Sequence, residues 1–211
     1  MIRLLGRQTS GNVQKVIFCL EEIGVAYVRE DYGRQFGNTL TDAYRKLNPT
    51  AKVPTLIDGD LAIWESHTIL RYLAAVHAPT LTGATPADRT LVERWMDFLL
   101  GALNTPYVAV FRDARKPPAE RAADFAAQSA DLLAQLKILD GHIAGLNWFA
   151  LDRFTVADIA LGPIVKRCLE FPIERPPFFE LTRWQGAIDA RPAFAVAIGK
   201  RSSASAPAAA S

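Results

Sequence analysis

Val53-Pro54-Thr55-Leu56, closely followed by Trp64-Glu65-Ser66-His67, decides the reading of this 211-residue chain. The first stretch sets a proline at the mouth of a strand. Between the two, Thr55 to Ile57 and Leu61 to Trp64 flank Asp58-Gly59-Asp60. An Asp-Gly step between apolar runs signals a hairpin, because glycine accepts the positive φ of a tight turn. The second stretch opens a helix on an acid-hydroxyl pair, with Ser66 as cap, Ile69, Leu70, Leu73 and Val76 along one face, and Pro79 beyond the end. Together they offer a way to hold a small extended peptide and grip its charged end. With Thr9-Ser10-Gly11-Asn12 near the start of the chain, the combination points to a site for a thiol peptide.

Working outward, Ile2 to Leu5 reads as a short buried strand and Gly6 to Gly11 as a loop. From Asn12, apolar residues recur at Val13, Val16, Ile17, Leu20 and Ile23, which is helical spacing, and Gly24 supplies the stop. Ala26 to Asp31 alternates like a strand, Tyr32 to Asn38 is a loop, and Leu40 to Leu47 predicts a short helix before Asn48-Pro49. The order over residues 1–79 is βαβαββα, an α/β domain with a mixed sheet and helices on both faces.

The character changes after Pro79. Residues 80–85 form a linker, and 86–200 read as an all-α domain. Thr85-Pro86-Ala87-Asp88 is a helix start with Thr as cap and Pro in the first turn. Leu91, Trp95, Phe98, Leu99 and Ala102 share a face, and Pro106 is expected to kink or end that helix. Pro117-Pro118 opens another, with Phe125, Leu132, Leu136, Leu139 and Ile143 inward. Thr155-Val156-Ala157-Asp158 is a capping box, its Thr and Asp read as structural rather than catalytic, and it starts a very apolar helix through Cys168. Phe178 to Ile188 and Pro192 to Ile198 are short late helices, and 201–211, rich in Ser, Ala and Pro, is read as a frayed tail.

Composition narrows the function classes. Twenty-four basic and 22 acidic residues are interspersed, for a net charge of +2, without the basic stripe of a nucleic-acid binder. Cys19 and Cys168 lack metal-site spacing and read as reduced thiols; no metal is expected. The N-terminus lacks the apolar core of a signal peptide, and no apolar run approaches membrane-spanning length, so a cytoplasmic protein without a membrane partner is expected.

Each candidate residue has two readings. Proline at a strand mouth has no amide to donate. If Val53-Pro54 is cis, the turn exposes the amide and carbonyl of Val53, and an extended peptide can lie there as an added strand; otherwise it is an ordinary trans proline. Ser66 and the free amides of its helix start attract a carboxylate, and Glu65 attracts an ammonium group, so the pair suits an α-amino-acid end; alternatively it is a plain cap. Ser10 precedes the first helix, where a hydroxyl backed by unpaired amides stabilises an anion. Lowering a thiol from about 8.5 by about two units takes roughly 2.7 kcal/mol. One hydrogen bond to charged sulfur plus a helix dipole is of that order. Alternatively Ser10 is a simple helix cap; Thr9 is a rival hydroxyl, and Asn12 a rival donor or cap.

Gly6-Arg7-Gln8-Thr9-Ser10-Gly11-Asn12-Val13-Gln14-Lys15-Val16 resembles the opening of the bacterial, serine-type, theta- or beta-like cytosolic glutathione S-transferases. The resemblance continues through Leu47-Asn48-Pro49, Lys52-Val53-Pro54-Thr55-Leu56, Glu65-Ser66, Ile69-Leu70-Arg71-Tyr72-Leu73, Arg94-Trp95-Met96-Asp97, Phe154-Thr155-Val156-Ala157-Asp158-Ile159-Ala160 and Arg191-Pro192-Ala193-Phe194. It implies a thioredoxin-like first domain and an all-helical second one, a cis Pro54, and glutathione as co-substrate. It further implies Glu65 and Ser66 on the γ-glutamyl end, Val53 on the cysteinyl backbone, Ser10 as the activating hydroxyl with Asn12 beside it, and Gln35 and Lys52 toward the glycyl end. A second substrate, a small electrophile, would meet Pro106, Tyr107, Phe111 and Arg112 between the domains. A homodimer is also implied. Conjugation leads the possible activities; glutathione-dependent isomerisation, peroxide reduction and a non-enzymatic regulatory role are the alternatives. Leu151-Asp152-Arg153 departs from the Gly-Asp that many relatives carry before the box, and position 10 lacks the cysteine of the disulfide-reducing classes.

Overall fold

The computed structural model describes residues 1–202. Residues 203–211, most of the segment read as a tail, lie outside the described residues. Two compact units emerge among the described residues: Met1–Thr82 joined by residues 189–202, and Gly83–Ile188.

The first unit is built on four strands, β1 (Ile2–Leu5), β2 (Tyr27–Glu30), β3 (Thr55–Asp58) and β4 (Leu61–Trp64), in the order β2-β1-β3-β4. β1 runs parallel to β2 and antiparallel to β3, and β3 and β4 form the expected antiparallel hairpin. Three helices accompany the sheet: α1 (Gly11–Ile23), α2 (Asp42–Leu47) and α3 (Ser66–His77). Val13, Val16, Ile17, Phe18 and Leu20 of α1 are buried, as are Ile69, Leu70 and Leu73 of α3. Each such side chain, taken fully out of water, contributes about 1.5–3 kcal/mol. Gly24 ends α1 in the left-handed region at φ 70°, its amide reaching the carbonyls of Leu20 and Glu21. The thioredoxin-like arrangement read from the sequence is the observed one. The 32–40 segment is not wholly irregular, since it contains short 3-10 turns at Arg34–Phe36 and Asn38–Leu40.

The second unit holds α4 (Pro86–Phe98), α5 (Asn104–Asp113), α6 (Phe125–Ile143), α7 (Val156–Leu169) and α8 (Phe179–Asp189). Its core centres on Leu99, Leu103, Val110, Leu132, Leu136, Leu139, Ile159, Val165 and Trp184. Pro106 does not break the helical run. A π turn at Leu99–Leu103 offsets the ladder first, so the proline falls in the opening turn of α5, where a missing amide is tolerated. Pro118 opens only a 3-10 turn, and α6 begins at Phe125. Pro163 lies inside α7 without ending it.

The last described helix, α9 (Pro192–Ala197), packs with the first unit, whereas the sequence reading grouped it with the helical domain. Phe194 meets Phe18 of α1 edge to face at 5.1 Å, and Arg191 pairs with Glu22 at 3.0 Å. Gln8 donates its amide protons to the carbonyls of Val196 and Ala197, both at 2.9 Å. Those carbonyls close a helix, where the last ones lack intrahelical donors; Val196 also accepts the Gly199 amide at 2.9 Å, so Gln8 completes the end of α9 while α9 fixes the loop ahead of α1. Among the described residues no helix is long and apolar enough to cross a membrane.

Candidate functional site

The register of the sheet gathers the candidate residues of the first unit. Leu5 pairs with Thr55, Thr55 with Trp64, and Leu5 lies beside Glu30. The segments leaving β1, entering β3, leaving β4 and leaving β2 therefore emerge from one end of the sheet. They carry Ser10, Lys52-Val53-Pro54, Glu65-Ser66 and Gln35 respectively. Two glycines show how closely these loops approach. A Cβ added at Gly6 would fall 2.5 Å from Val13 Cγ2 and 3.4 Å from Val53 Cβ. One added at Gly33, where φ is +89°, would fall 3.4 Å from Val53 Cγ1 and 3.0 Å from the Arg7 guanidinium. Backbone bonds from Gly6 N to Glu30 O (2.8 Å) and from Arg7 N to Tyr32 O (3.1 Å) fasten the first loop to the fourth.

The Val53-Pro54 peptide is cis. The loop bearing it is held by a buried polar network that the sequence reading did not single out. Tyr44 Oη donates to the Lys52 carbonyl at 2.6 Å and lies 2.9 Å from Thr55 Oγ1. Its one proton goes to Lys52, so the Thr55 hydroxyl donates to it. Asn48, almost fully buried, donates to the same carbonyl at 2.9 Å and to Thr55 Oγ1 at 3.0 Å, and accepts from the amide and hydroxyl of Thr50. Burial is the main reason the Tyr44 phenol stands above its usual pKa range. The signal was present in Leu47-Asn48-Pro49: an asparagine just after a helix, ahead of two closely spaced prolines, has backbone to satisfy.

Ser10 is the N-cap of α1, with φ −81° and ψ 125°, and its side chain makes no capping hydrogen bond. It is only 8% exposed, while Thr9 and Asn12 are exposed. The Ser10 carbonyl accepts the Gln14 amide at 2.9 Å, so the backbone turn is complete and the hydroxyl takes no part in it. At the other helix start, Ser66 is buried as the first residue of α3, and Glu65 is its N-cap. The Glu65 backbone has φ 67° and ψ 117°, a conformation that side-chain-bearing residues rarely adopt. Its carbonyl starts the helix by accepting the Ile69 amide at 3.0 Å, and its carboxylate is exposed and does not cap. Two helices thus begin at one end of the sheet with amides that their own capping side chains leave uncovered. Lys52 and Gln35 are exposed there, Gln35 within the 34–36 turn.

A cis-proline loop between two uncapped helix starts matches known proteins along nearly the whole chain. The family model of the glutathione S-transferase N-terminal domain covers residues 9–76, and that of the C-terminal domain covers 95–192. Glutathione S-transferase GstB of Escherichia coli is 36% identical over 200 residues, spanning 92% of this chain and 95% of that protein. The chain belongs to the glutathione S-transferase family. The theta-class transferase of Xanthomonas axonopodis pv. citri, solved with glutathione bound, superposes with a TM-score of 0.89 at 40% identity, covering 94% of this chain and 97% of that one. A glutathione transferase of Pseudomonas putida, solved with glutathione disulfide, gives a TM-score of 0.84 at 25% identity over 94% of this chain and 90% of that one.

In this transferase the candidates for the second substrate lie on α5. Pro106 and Tyr107 are buried, Phe111 is half-buried and Arg112 is exposed. A cation on α7 joins them that the sequence reading passed over: Arg167 donates to Tyr107 Oη at 3.2 Å, and its guanidinium carbon sits 5.6 Å from the centre of the Phe111 ring. Phe171 stacks on Tyr107 at 6.1 Å. Both cysteines are buried inside helices, and burial pushes the Cys19 thiol up to about 12, so it does not stand in for a nucleophilic cysteine. Among the described residues there is no cluster of three or more His, Cys, Asp or Glu able to hold a metal.

Proposed function

We propose that this transferase binds glutathione at the sheet end described above and activates its thiol at Ser10 for attack on a small hydrophobic electrophile. Glu65 takes the ammonium and Ser66, with the α3 amides, the carboxylate of the γ-glutamyl end. Val53 pairs with the cysteinyl backbone beside Pro54, and Gln35 and Lys52 reach toward the glycyl carboxylate, with Asn12 flanking the sulfur. The thiol proton passes to solvent, the Ser10 hydroxyl donates to the resulting thiolate, and the sulfur forms a bond to the electrophilic carbon as the leaving group departs with its electron pair. Pro106, Tyr107, Phe111 and Arg112 supply candidate contacts for the electrophile, and the working form is a cytoplasmic homodimer, as the family resemblance implies.

One observation carries the assignment of Ser10. It is a nearly buried N-cap whose hydroxyl caps nothing, while Thr9 and Asn12 are exposed. A hydroxyl at a helix start normally accepts an amide two or three residues on; one that does not is available to an anion. Ser10→Ala is expected to raise the pKa of the bound thiol by about one to two units, the value of one hydrogen bond to a charged atom, with peptide affinity largely retained. Thiolate absorbance of bound glutathione against pH is the measurement, with Thr9→Val and Asn12→Ala as controls. If Ser10→Ala leaves the titration in place and a control moves it, the role belongs to that neighbour. Turnover with a panel of halides, epoxides, enones and hydroperoxides then identifies the electrophile.

A further inference from the structure

Lys15 and His67 are each about 2% exposed, and Lys15 Nζ lies 3.1 Å from His67 Nε2. Lys15 is on α1, about 7.5 Å along the helix axis from Ser10 at the usual rise per residue. His67 directly follows Ser66 in the first turn of α3. The contact therefore joins the two helices whose starts form the proposed glutathione site, on the inner side of both.

Burying an ammonium group is costly unless it is well bonded, and replacing a buried polar pair by apolar side chains of similar volume is often neutral or stabilising. Stability alone therefore does not account for a lysine here. A directed hydrogen bond does what an apolar contact does not: it fixes the distance and rotation of one helix start against the other. With the imidazole proton on Nδ1, Lys15 Nζ donates and His67 Nε2 accepts; which nitrogen carries the proton sets the roles. A peptide gripped at its charged end by Ser66 and at its sulfur by Ser10 senses any slip between α1 and α3.

We propose that Lys15 and His67 are positioning residues that set the spacing of Ser10 and Ser66, and that glutathione affinity and thiol activation both depend on this pair. The inference rests on the glutathione-site reading given above.

The test separates positioning from stability. Single variants Lys15→Met and His67→Leu leave a buried polar partner behind and are expected to be less stable. The double variant Lys15→Met/His67→Leu removes both groups and is expected to fold with a melting temperature above those of the single variants. Calorimetric Kd for glutathione and the pH titration of the bound thiol are measured on the wild type, the double variant and His67→Gln, whose side-chain oxygen can accept from Lys15. The expected result is a folded double variant that binds glutathione at least fivefold more weakly and titrates its thiol at higher pH, with His67→Gln within about twofold of the wild type. A folded double variant with wild-type Kd and thiol titration overturns the proposal. If the double variant does not fold, folded His67→Leu is compared with His67→Gln: weaker binding and a raised thiol titration in His67→Leu with wild-type values in His67→Gln support the pair, and wild-type values in both overturn it. A wild type that does not bind glutathione overturns the site reading itself, a distinct outcome.

Discussion

At Thr85 the hydroxyl accepts the Asp88 amide at 3.1 Å, and the Asp88 carboxylate accepts the amides of Thr85 at 3.1 Å and Ala84 at 3.2 Å. At Thr155 the Asp158 carboxylate accepts the Thr155 amide at 2.9 Å and its hydroxyl at 3.1 Å. These starts of α4 and α7 close on themselves. Those of α1 and α3 do not: Ser10 and Glu65 occupy the N-cap positions and neither side chain caps. A helix start that answers its own amides is finished as structure, whereas one that leaves them uncovered beside a nearly buried hydroxyl and an exposed carboxylate can receive an anionic ligand. The starts of α4 and α7 use their capping chemistry for stability, whereas those of α1 and α3 leave it open to the glutathione proposed to bind there.

The two closed starts also differ from each other, and the largest expected effect lies there. Asp88 is half-buried, and its bonds, led by the Thr85 amide, hold its carboxyl below the usual range. Asp158 is buried, and burial pushes it up to about 6 despite the donors around it. Besides Thr155 it accepts the Phe149 amide at 3.1 Å and the Trp184 indole at 3.0 Å. Asp158→Ala leaves these donors buried without an acceptor at about 1–3 kcal/mol each, so urea denaturation should show a loss of about 4 kcal/mol or more. The sign of the pH effect follows from the raised value. Native Asp158 holds its proton up to about pH 6, whereas an unfolded carboxyl releases it near pH 3.9. Its contribution is therefore full below about pH 4 and falls as pH rises through 6, by up to about 3 kcal/mol. Asp158→Asn should flatten that slope in denaturation curves taken across the interval; an unchanged slope would assign it to another group.

Which of these features the sequence disclosed follows from how local their causes are. The Asp58-Gly59 turn, the Gly24 stop and both capping boxes each depend on a few neighbouring residues, and each could be read directly. So could Ser10 and Glu65-Ser66, as positions at helix starts. What the sequence did not disclose depends on distant partners. Gln8 is ordinary until α9 brings it two carbonyls, Tyr44 matters because the 48–55 loop folds back over it, and Arg167 joins α5 only through the packing of α7. Pro106 was misread because a local rule about proline cannot foresee the π turn ahead of it. The absence of a capping bond at Ser10, the fact that separates a ligand-ready start from a finished one, is geometric and has no sequence signature.

Glu65 sharpens the comparison at intermediate size. Its carboxylate is exposed and caps nothing, so Glu65→Gln should change unfolding free energy by less than about 0.5 kcal/mol. Loss of a charge-assisted bond to the γ-glutamyl ammonium should weaken glutathione binding by about 1.5–3 kcal/mol, roughly tenfold or more. Glu65→Gly goes further, because glycine adopts φ 67° without strain. It should stabilise the fold by about 1 kcal/mol while weakening binding. Calorimetry and denaturation on the same samples give both numbers. Unchanged affinity in Glu65→Gln would place the ammonium elsewhere.

The smallest effect bears most directly on the contrast between closed and open starts. Thr85→Ala removes a hydroxyl that accepts an amide, and such caps are worth about 1 kcal/mol. Ser10→Ala removes a hydroxyl from the same position on a helix of the same length, but no capping bond is lost. If α1 is open in the sense argued here, Ser10→Ala should leave unfolding free energy within about 0.5 kcal/mol of the wild type, and Thr85→Ala should lower it by about twice that. Denaturant midpoints resolve the difference provided the slope of the transition is unchanged. Adding saturating glutathione should then reverse the ranking. The ligand stabilises the native state with the logarithm of its affinity, and above neutral pH, where thiolate formation contributes to that affinity, Ser10→Ala forfeits part of the gain while Thr85→Ala keeps all of it. Equal destabilisation by the two substitutions without ligand would mean that Ser10 caps α1 after all, and the distinction between the two kinds of helix start would fail at the residue on which it most depends.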